Sequence, residues 1–545
     1  MNLVEIRDLD GPNLFLPMPA IKIEFESDTP ASPRLTREIE SRLGEIGASS
    51  DDESTDDINL GDALIEAVEI IHQRAGSRVP ESAWRKLETP GHWVLAFEWR
   101  RRAFALAVAE RIAAAVTGQS RDANQTSGDL AQILAEPASP DDIPGWVCDR
   151  DRSVPIVGIT GTNGKTTTTR LLAHVLREAG RSVGWSSTSG VYINGDLVLE
   201  GDYTGPSGAR RVLKEPGLDI AVLETARGGI LLRGIAYQSN DVSVFTNVSA
   251  DHLDMLGVRS IEGLLAVKAT VARATRRGGV AVLNADDPLV RSVAPELRAS
   301  PLFVSRDSNN PTVVNHVAAG GNAIVVRDGV MELLHGPNAV EITKLANIPM
   351  SYGGRAVHMV ENALCAAGAA VALGLTMPEI AAGLASFRNT PELNPGRLHV
   401  YETNGTTVVI DYAHNEAGLR HLLEFGRSFV KDGGKLVSVI GTAGDRSDES
   451  LRVIGEIAAD ASDYVVIKET EKYLRGRESA SGMTALMAEG IGRVSGVDWG
   501  QAPTELGGVE LALRGRQSGD TVVVMCIEQS DDVRAMLEEI GTLVS

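Results

Sequence analysis

The sequence predicts an α/β protein in three parts. These are a small N-terminal α+β module over residues 1–118, a central parallel-sheet domain over 149–392, and a C-terminal Rossmann-like α/β domain over 393–545, with 119–148 as a linker. Three observations predict it. Strand-like and helix-like runs alternate from Val154 to about Leu384, and again from about Asn394 to Ser545; such alternation builds a mainly parallel sheet covered by helices. A glycine-rich turn, Gly158-Ile-Thr-Gly-Thr-Asn-Gly-Lys-Thr-Thr167, joins an apolar run (Val154 to Ile159) to a helical one (Thr168 to Ala179). Between Gly118 and Trp146 periodicity is lost and Ser, Asp, Pro and Gly gather, which sets the first module apart.

In the N-terminal module, Leu3 to Ile6 and Ile21 to Phe25 read as strands on either side of the turn-prone Asp10-Gly11-Pro12-Asn13. The acidic stretch Ala48 to Asp57 reads as a solvated loop, and Leu60 to Ala75 and Trp93 to Val116 as helices. One further helix is expected around Leu130 to Leu134. In the central domain Ile220 to Glu224, Val242 to Asn247 and Gly279 to Asn284 read as strands, with a helix containing Lys268 before the last. The C-terminal strands are Val408 to Tyr412, Leu436 to Gly441, Tyr464 to Lys468 and Val522 to Glu528. Gly161, Glu224 and Asn247 fall at or just after strand ends, where open α/β sheets bind ligands.

Size and composition bound the function. A chain of 545 residues exceeds one core and suggests about three or four domains. A net charge of −21 argues against nucleic acid and anionic membranes as partners. No run of about 18 apolar residues and no basic, apolar N-terminus are present, so the expected location is cytoplasmic. Cys148, Cys365 and Cys526 are too widely spaced for a disulfide framework or a zinc site.

The glycine turn is built for a nucleotide phosphate. Backbone N–H groups in such a turn and at the following helix N-terminus point at the anion, and the helix dipole adds to the attraction. Lys165 would reach the outer phosphates and the Thr166 hydroxyl a Mg²⁺ ion. Phosphoryl transfer needs further metal ligands. Glu224, in Val222-Leu-Glu-Thr-Ala-Arg-Gly-Gly229, and His252, in Asn247-Val-Ser-Ala-Asp-His-Leu253, are the candidates, although a lone strand-end carboxylate is commonly a helix cap and a lone His a structural hydrogen-bonder.

In order along the chain come the glycine loop, the strand-end Glu224, N-x-x-x-D-H-L, Lys268 sixteen residues after His252, and Asn284-Ala-Asp-Asp-Pro288. His358-Met-Val-Glu-Asn362, Gly396-Arg397 and Asp411-Tyr-Ala-His-Asn415 follow. This series resembles the Mur ligase family of ADP-forming amino-acid ligases, with folylpolyglutamate synthetase as a relative. Asp202-Tyr-Thr-Gly-Pro206, Leu474-Arg-Gly-Arg477 and the opening Ile6-Arg-Asp-Leu-Asp-Gly-Pro-Asn13 are similar to the cyanophycin synthetases in particular, in their Mur-ligase-like half and N-terminal module. Those enzymes carry an ATP-grasp domain between the two, for which the linker here has no room. Met359 stands where the family has the first Asn of H-N-x-x-N, and Glu416 where Pro is usual.

The resemblance implies a P-loop, Mur-ligase-type ATPase domain that uses ATP and Mg²⁺ to activate a substrate carboxylate as an acyl phosphate, which an amine then attacks. It implies nucleotide contacts from Gly161, Thr162, Asn163, Gly164, Lys165, Thr166, Thr167, Asn284, Asn362, Arg397 and Asp411. It makes Thr166, Glu224, His252 and Lys268, the last as a carbamate, the metal set, and Lys165, His252 and Lys268 the catalytic residues. Thr204, Ser207 and Arg210 are expected at the carboxylate acceptor, and Arg446, Asp448 and Glu469 at the incoming amino acid. The acceptor ranges from a small acid to a peptide-like polymer. Self-association is implied too, and a separate ATP-grasp partner is the alternative to working alone. Two other readings stay open: a non-catalytic nucleotide-binding subunit, and a polymer-binding module acting through residues 1–118.

Overall fold

A computed structural model describes residues 1–27, 33–48, 59–119, 123–250, 253 and 256–544, and three sheets organise them. The first is antiparallel, in the order Asn2–Leu9, Ala20–Glu26, His92–Glu98, Ser82–Lys86. Its core is filled from the helices Pro33–Glu45, Leu60–Arg74 and Arg102–Thr117. The expected helix Trp93 to Val116 is corrected here: a strand runs to Glu98 and the helix begins at Arg102. An uninterrupted apolar run fits either period, and cross-strand pairing decides it. Val94 to Phe97 are buried between Ala20–Glu26 and Ser82–Lys86, which would otherwise lack a common partner. A helix Ala123–Ala135 occupies the linker, while residues 49–57 of the acidic stretch lie outside the described residues.

The central sheet has eleven strands, seven of them parallel. The strand Ile156–Thr160 lies between Ile220–Glu224 and Asn240–Phe245, all three almost wholly buried on both faces. That placement explains their continuous Val, Ile and Leu content. The chain leaves Ile156–Thr160 in one direction towards Val183–Ser187 and later returns to the other side through Asn240–Phe245 and Thr275–Asn284. The glycine loop therefore emerges at a switch point, the natural crevice of such sheets. Antiparallel hairpins complete both edges.

The third sheet has seven strands with a parallel centre, Thr406–Asp411, Thr521–Met525, Leu436–Ile440, Tyr464–Lys468 and Asp498–Ala502. One apolar core runs from Val157 and Leu172 through Ala363 and Ala367 to Leu419 and Ile440, so the second and third sheets share an interior. The helix Val357–Ala372 is rich in Ala and packs against Lys165–Glu178, while Gly368 leaves room for Val282 and Leu302 of the sheet. Cys365 and Cys526 are buried, free thiols, and Cys148 is half-buried. Among the described residues no helix is long and apolar enough to cross a membrane.

Candidate functional site

A cleft of about 630 Å³ opens between the second and third sheets, floored by the glycine loop. The loop's conformation depends on two glycines. Gly161 has φ +147°, and a Cβ there would lie 1.9 Å from Thr246 Oγ1; Gly164 has φ +83°, and a Cβ would lie 2.1 Å from Asn362 Oδ1. Any other residue at either position would have to push the loop out of the crevice. Asn163 N donates to Asn247 Oδ1 at 2.9 Å, and Asn247 Nδ2 donates back to Asn163 O at 3.1 Å. The helix starts at Lys165, leaving its first N–H groups directed at the cleft.

Around this loop the strand ends bring up polar groups. Thr166 Oγ1 lies 3.1 Å from Glu224 Oε1 and 3.1 Å from Thr188 Oγ1. Glu224 is buried, and that burial pushes its carboxyl up against the opposing pull of Lys165 and the Thr166 hydrogen bond. A buried carboxylate beside a threonine hydroxyl is the hard-oxygen donor set that suits a divalent cation. Lys165 Nζ folds over the loop to Thr162 O at 2.7 Å. From the opposite wall Lys268, buried on the helix Ile261–Arg273, donates to Gly161 O at 2.6 Å. His252 lies outside the described residues.

The third sheet closes the cleft. Arg397 stacks 4.6 Å over the Tyr412 ring, and Asp411 Oδ2 accepts from Leu398 N at 2.8 Å. Burial raises the Asp411 carboxyl to about 6, opposed by Arg397 and by the N–H groups of Leu398 and Ala413. At the far end the His358 and His421 rings lie 5.4 Å apart beside Asn362. Burial, and then His421, hold His358 down to about 3, so it is neutral. Met359, the departure from the family pattern, takes a weak hydrogen bond from Asn362 Nδ2 at its sulfur, 3.8 Å away.

Several expected site residues are not in this cleft. Asn284 is buried beneath it: its Nδ2 donates to Thr246 O at 2.9 Å and its Oδ1 accepts from Asp286 N at 3.0 Å, so the amide holds a turn. Arg210 points to the N-terminal module, where it pairs with Asp10 at 3.0 Å. Ser207 is exposed on the same short helix. Asp448 opens the helix Asp448–Ala461 and pairs with Arg477 at 2.6 Å, and Glu469 accepts from Gln501 Nε2 at 3.1 Å. Thr204 and Arg446 do line the cleft. So do residues that the sequence did not assign to the site: Thr188, Asp202, His421, Asp445, Tyr473 and Arg475. Thr188 and His421 carry no local motif, and only the fold brings them there.

A glycine loop at a parallel-sheet switch point, faced by a second α/β domain, defines a two-domain nucleotide-binding protein of the phosphate-loop class. Residues 159–370 match the Mur ligase middle domain, and residues 396–526 match the Mur ligase glutamate ligase domain. Both Mur ligase domains are thus present in the chain, and together the matched residues make up more than half of it. It is 42% identical over 339 residues to the cyanophycin synthetase of Synechocystis sp., covering 62% of this chain and 38% of that protein. It is 33% identical over 326 residues to the UDP-N-acetylmuramoyl-L-alanyl-D-glutamate–2,6-diaminopimelate ligase of Gloeobacter violaceus, covering 58% and 61%. The chain thus spans well under half the length of the cyanophycin synthetases it matches. The fold is similar to that of E. coli FolC in complex with DHPP and ADP over 71% of this chain and 89% of that one, with a TM-score of 0.52 at 21% identity.

Proposed function

We propose that this chain is an ATP-dependent, ADP-forming ligase of the cyanophycin synthetase type, joining an amino acid or other amine to a substrate carboxylate through an acyl phosphate. The observation that carries this reading is the convergence of Lys165, Thr166, Glu224 and Lys268 on one loop, under Arg397 and Asp411 from the other domain.

The loop N–H groups and Lys165 bind the outer phosphates and offset the charge that builds as the γ-phosphoryl group passes to the carboxylate. Thr166 and Glu224, with His252, would hold Mg²⁺, which when bound would supply further charge neutralisation. Lys268 is the candidate for carbamylation: its neutral amine adds to CO₂ with loss of one proton and becomes an anion. Asp411 faces the ribose, Arg397 the phosphates, and Asn362 the base. Closure of the two domains excludes water, which would otherwise hydrolyse the acyl phosphate. The amine then forms the C–N bond and phosphate leaves. Thr204 is assigned to the acceptor and Arg446 to the amino-acid carboxylate, which a guanidinium fork suits.

Residues 1–118 are assigned as an N-terminal module of the cyanophycin synthetase type. Self-association and a separate ATP-grasp partner belong to the same proposal. The test is ADP release with a panel of carboxylates and amines, with mass-spectrometric detection of the amide. Nucleotide binding without turnover for any pair would overturn the ligase reading in favour of a binding subunit.

A further inference from the structure

The N-terminal module touches the central domain at a point that bears on the cleft. The turn between Ser82–Lys86 and His92–Glu98 reaches the segment that enters the helix Ile261–Arg273. There Glu88 Oε2 accepts from Arg259 N at 2.5 Å and Ser260 N at 2.9 Å, and the Ser260 hydroxyl donates to Glu88 Oε1. Ser260 is itself the helix N-cap, its Oγ accepting from Gly263 N at 2.9 Å. Gly263 leaves the space that the Glu88 carboxylate occupies, since a Cβ on it would lie 2.4 Å from Oε1. Leu87 and Thr89 of the same turn flank Gly257. Burial alone would raise the Glu88 carboxyl, but the Ser260 hydroxyl and the N–H groups of Arg259, Ser260 and Gly263 outweigh it and hold it below its ordinary range.

What this turn grips is a wall of the cleft. Leu256, with a left-handed φ of +55°, lines the mouth, and Leu264 and Lys268 line the interior. Residues 260, 264 and 268 share one helix face. The face that Glu88 anchors at its first turn therefore presents Lys268 to Gly161 O two turns later. A carboxylate at a helix N-terminus makes charge-assisted bonds and complements the dipole, so it fixes the helix end more firmly than a neutral cap would.

We propose that Glu88 is a positioning residue: through the first turn of the helix Ile261–Arg273, the N-terminal module sets Leu264 and Lys268 against the phosphate loop. The catalytic consequence rests on the ligase reading, whereas the geometric one does not.

The test uses the full chain with Glu88→Ala, Glu88→Gln and Gly263→Ala, the last displacing the carboxylate without removing it. Three readouts apply: hydrogen exchange of the 259–263 amides, cyanate labelling of Lys268 followed by mass spectrometry, and the split of ligation into kcat and KM. In Glu88→Ala exchange rises at 259–263, Lys268 labels severalfold faster, and kcat falls about tenfold, the usual cost of losing an outer-shell partner, while KM for ATP is unchanged. Glu88→Gln, which still accepts from both N–H groups, recovers part of each. Should Glu88→Ala fail to fold, Gly263→Ala decides by the same readouts, because alanine suits a helix. Unaltered exchange would sink the brace, and altered exchange with unaltered Lys268 labelling would sink its link to the site. A wild-type protein that makes no amide product removes the ligase reading but leaves the labelling result to judge the brace.

Discussion

Asn415 and Asn163 join the two domains across the cleft: Asn415 Nδ2 donates to Asn163 Oδ1 at 3.1 Å, and Asn163 Nδ2 lies 3.5 Å from Asn415 Oδ1. The Asn163 backbone is already fixed by Asn247. Asn415 also caps the helix Glu416–Arg427 by accepting from Gly418 N at 2.8 Å. The glycine loop and the C-terminal domain thus meet at this side-chain pair, which ties the position of the loop to the first turn of the helix Glu416–Arg427.

This pairing is testable without loss of the cap. Asn415→Ser keeps a capping oxygen but is too short to reach Asn163. A single neutral hydrogen bond contributes about 0.5–1.5 kcal/mol, so kcat/KM for ATP should fall by up to about tenfold with the melting temperature nearly unchanged. An unaltered kcat/KM would show that closure does not depend on the pair.

The two loop glycines should be intolerant for steric reasons. Gly164→Ala must adopt φ +83° while its Cβ meets the Asn362 amide, and Gly161→Ala meets Thr246. Forcing a residue into such a conformation costs about 1–3 kcal/mol, and relief comes only by moving the loop. Calorimetric titration with ADP should show binding lost in both variants, with a lowered melting temperature. Wild-type affinity in Gly164→Ala would mean that the loop reshapes before it binds.

The strand, glycine turn and helix around Gly161, and the place of Glu224 at a strand end, were legible in the sequence because their signals are local: glycines at fixed offsets and a carboxylate ending an apolar run. The direction that Arg210 and Asp448 face was not legible, because charged residues near a motif look alike whether they face a substrate or a partner side chain. Only the tertiary structure turns Arg210 towards Asp10 and Asp448 towards Arg477. Asn284 is the opposite case: a strand-end amide suits a ligand, but here it also binds two backbone groups under the loop. The strand His92–Glu98 was hidden by an apolar run that satisfies both periods, and its identity comes from partners many residues away.

Removing the divalent cation should separate binding from turnover. With a chelator present, ADP release should stop, and Glu224→Gln should lower kcat by about a hundredfold or more, since a catalytic metal contributes several kcal/mol of charge stabilisation. Because burial already disfavours the Glu224 carboxylate, the neutral amide should leave the melting temperature equal or higher. A variant that turns over at the wild-type rate in saturating Mg²⁺ would remove Glu224 from the metal set.

Asp411 sets a pH dependence whose sign follows from burial. Its carboxyl is raised from 3.8 to about 6 in the folded state, so between those values the folded chain holds a proton that the unfolded chain has released. Stability from this residue therefore falls as pH rises through that window, and is level above it. Affinity runs the other way. In the proposed ribose contact a hydroxyl would donate to the carboxylate, so ADP binding should tighten as pH rises through about 6, the ionised form being the better acceptor. The phosphates of ADP titrate in the same range, and Asp411→Asn separates the two effects. The variant should bind more weakly at neutral pH, keep only the phosphate-derived slope, and lose the decline in stability between 3.8 and about 6. Calorimetric titrations from about pH 5 to about pH 8, paired with thermal unfolding at each point, give both curves. Identical slopes in wild type and variant would show that Asp411 does not titrate against the nucleotide.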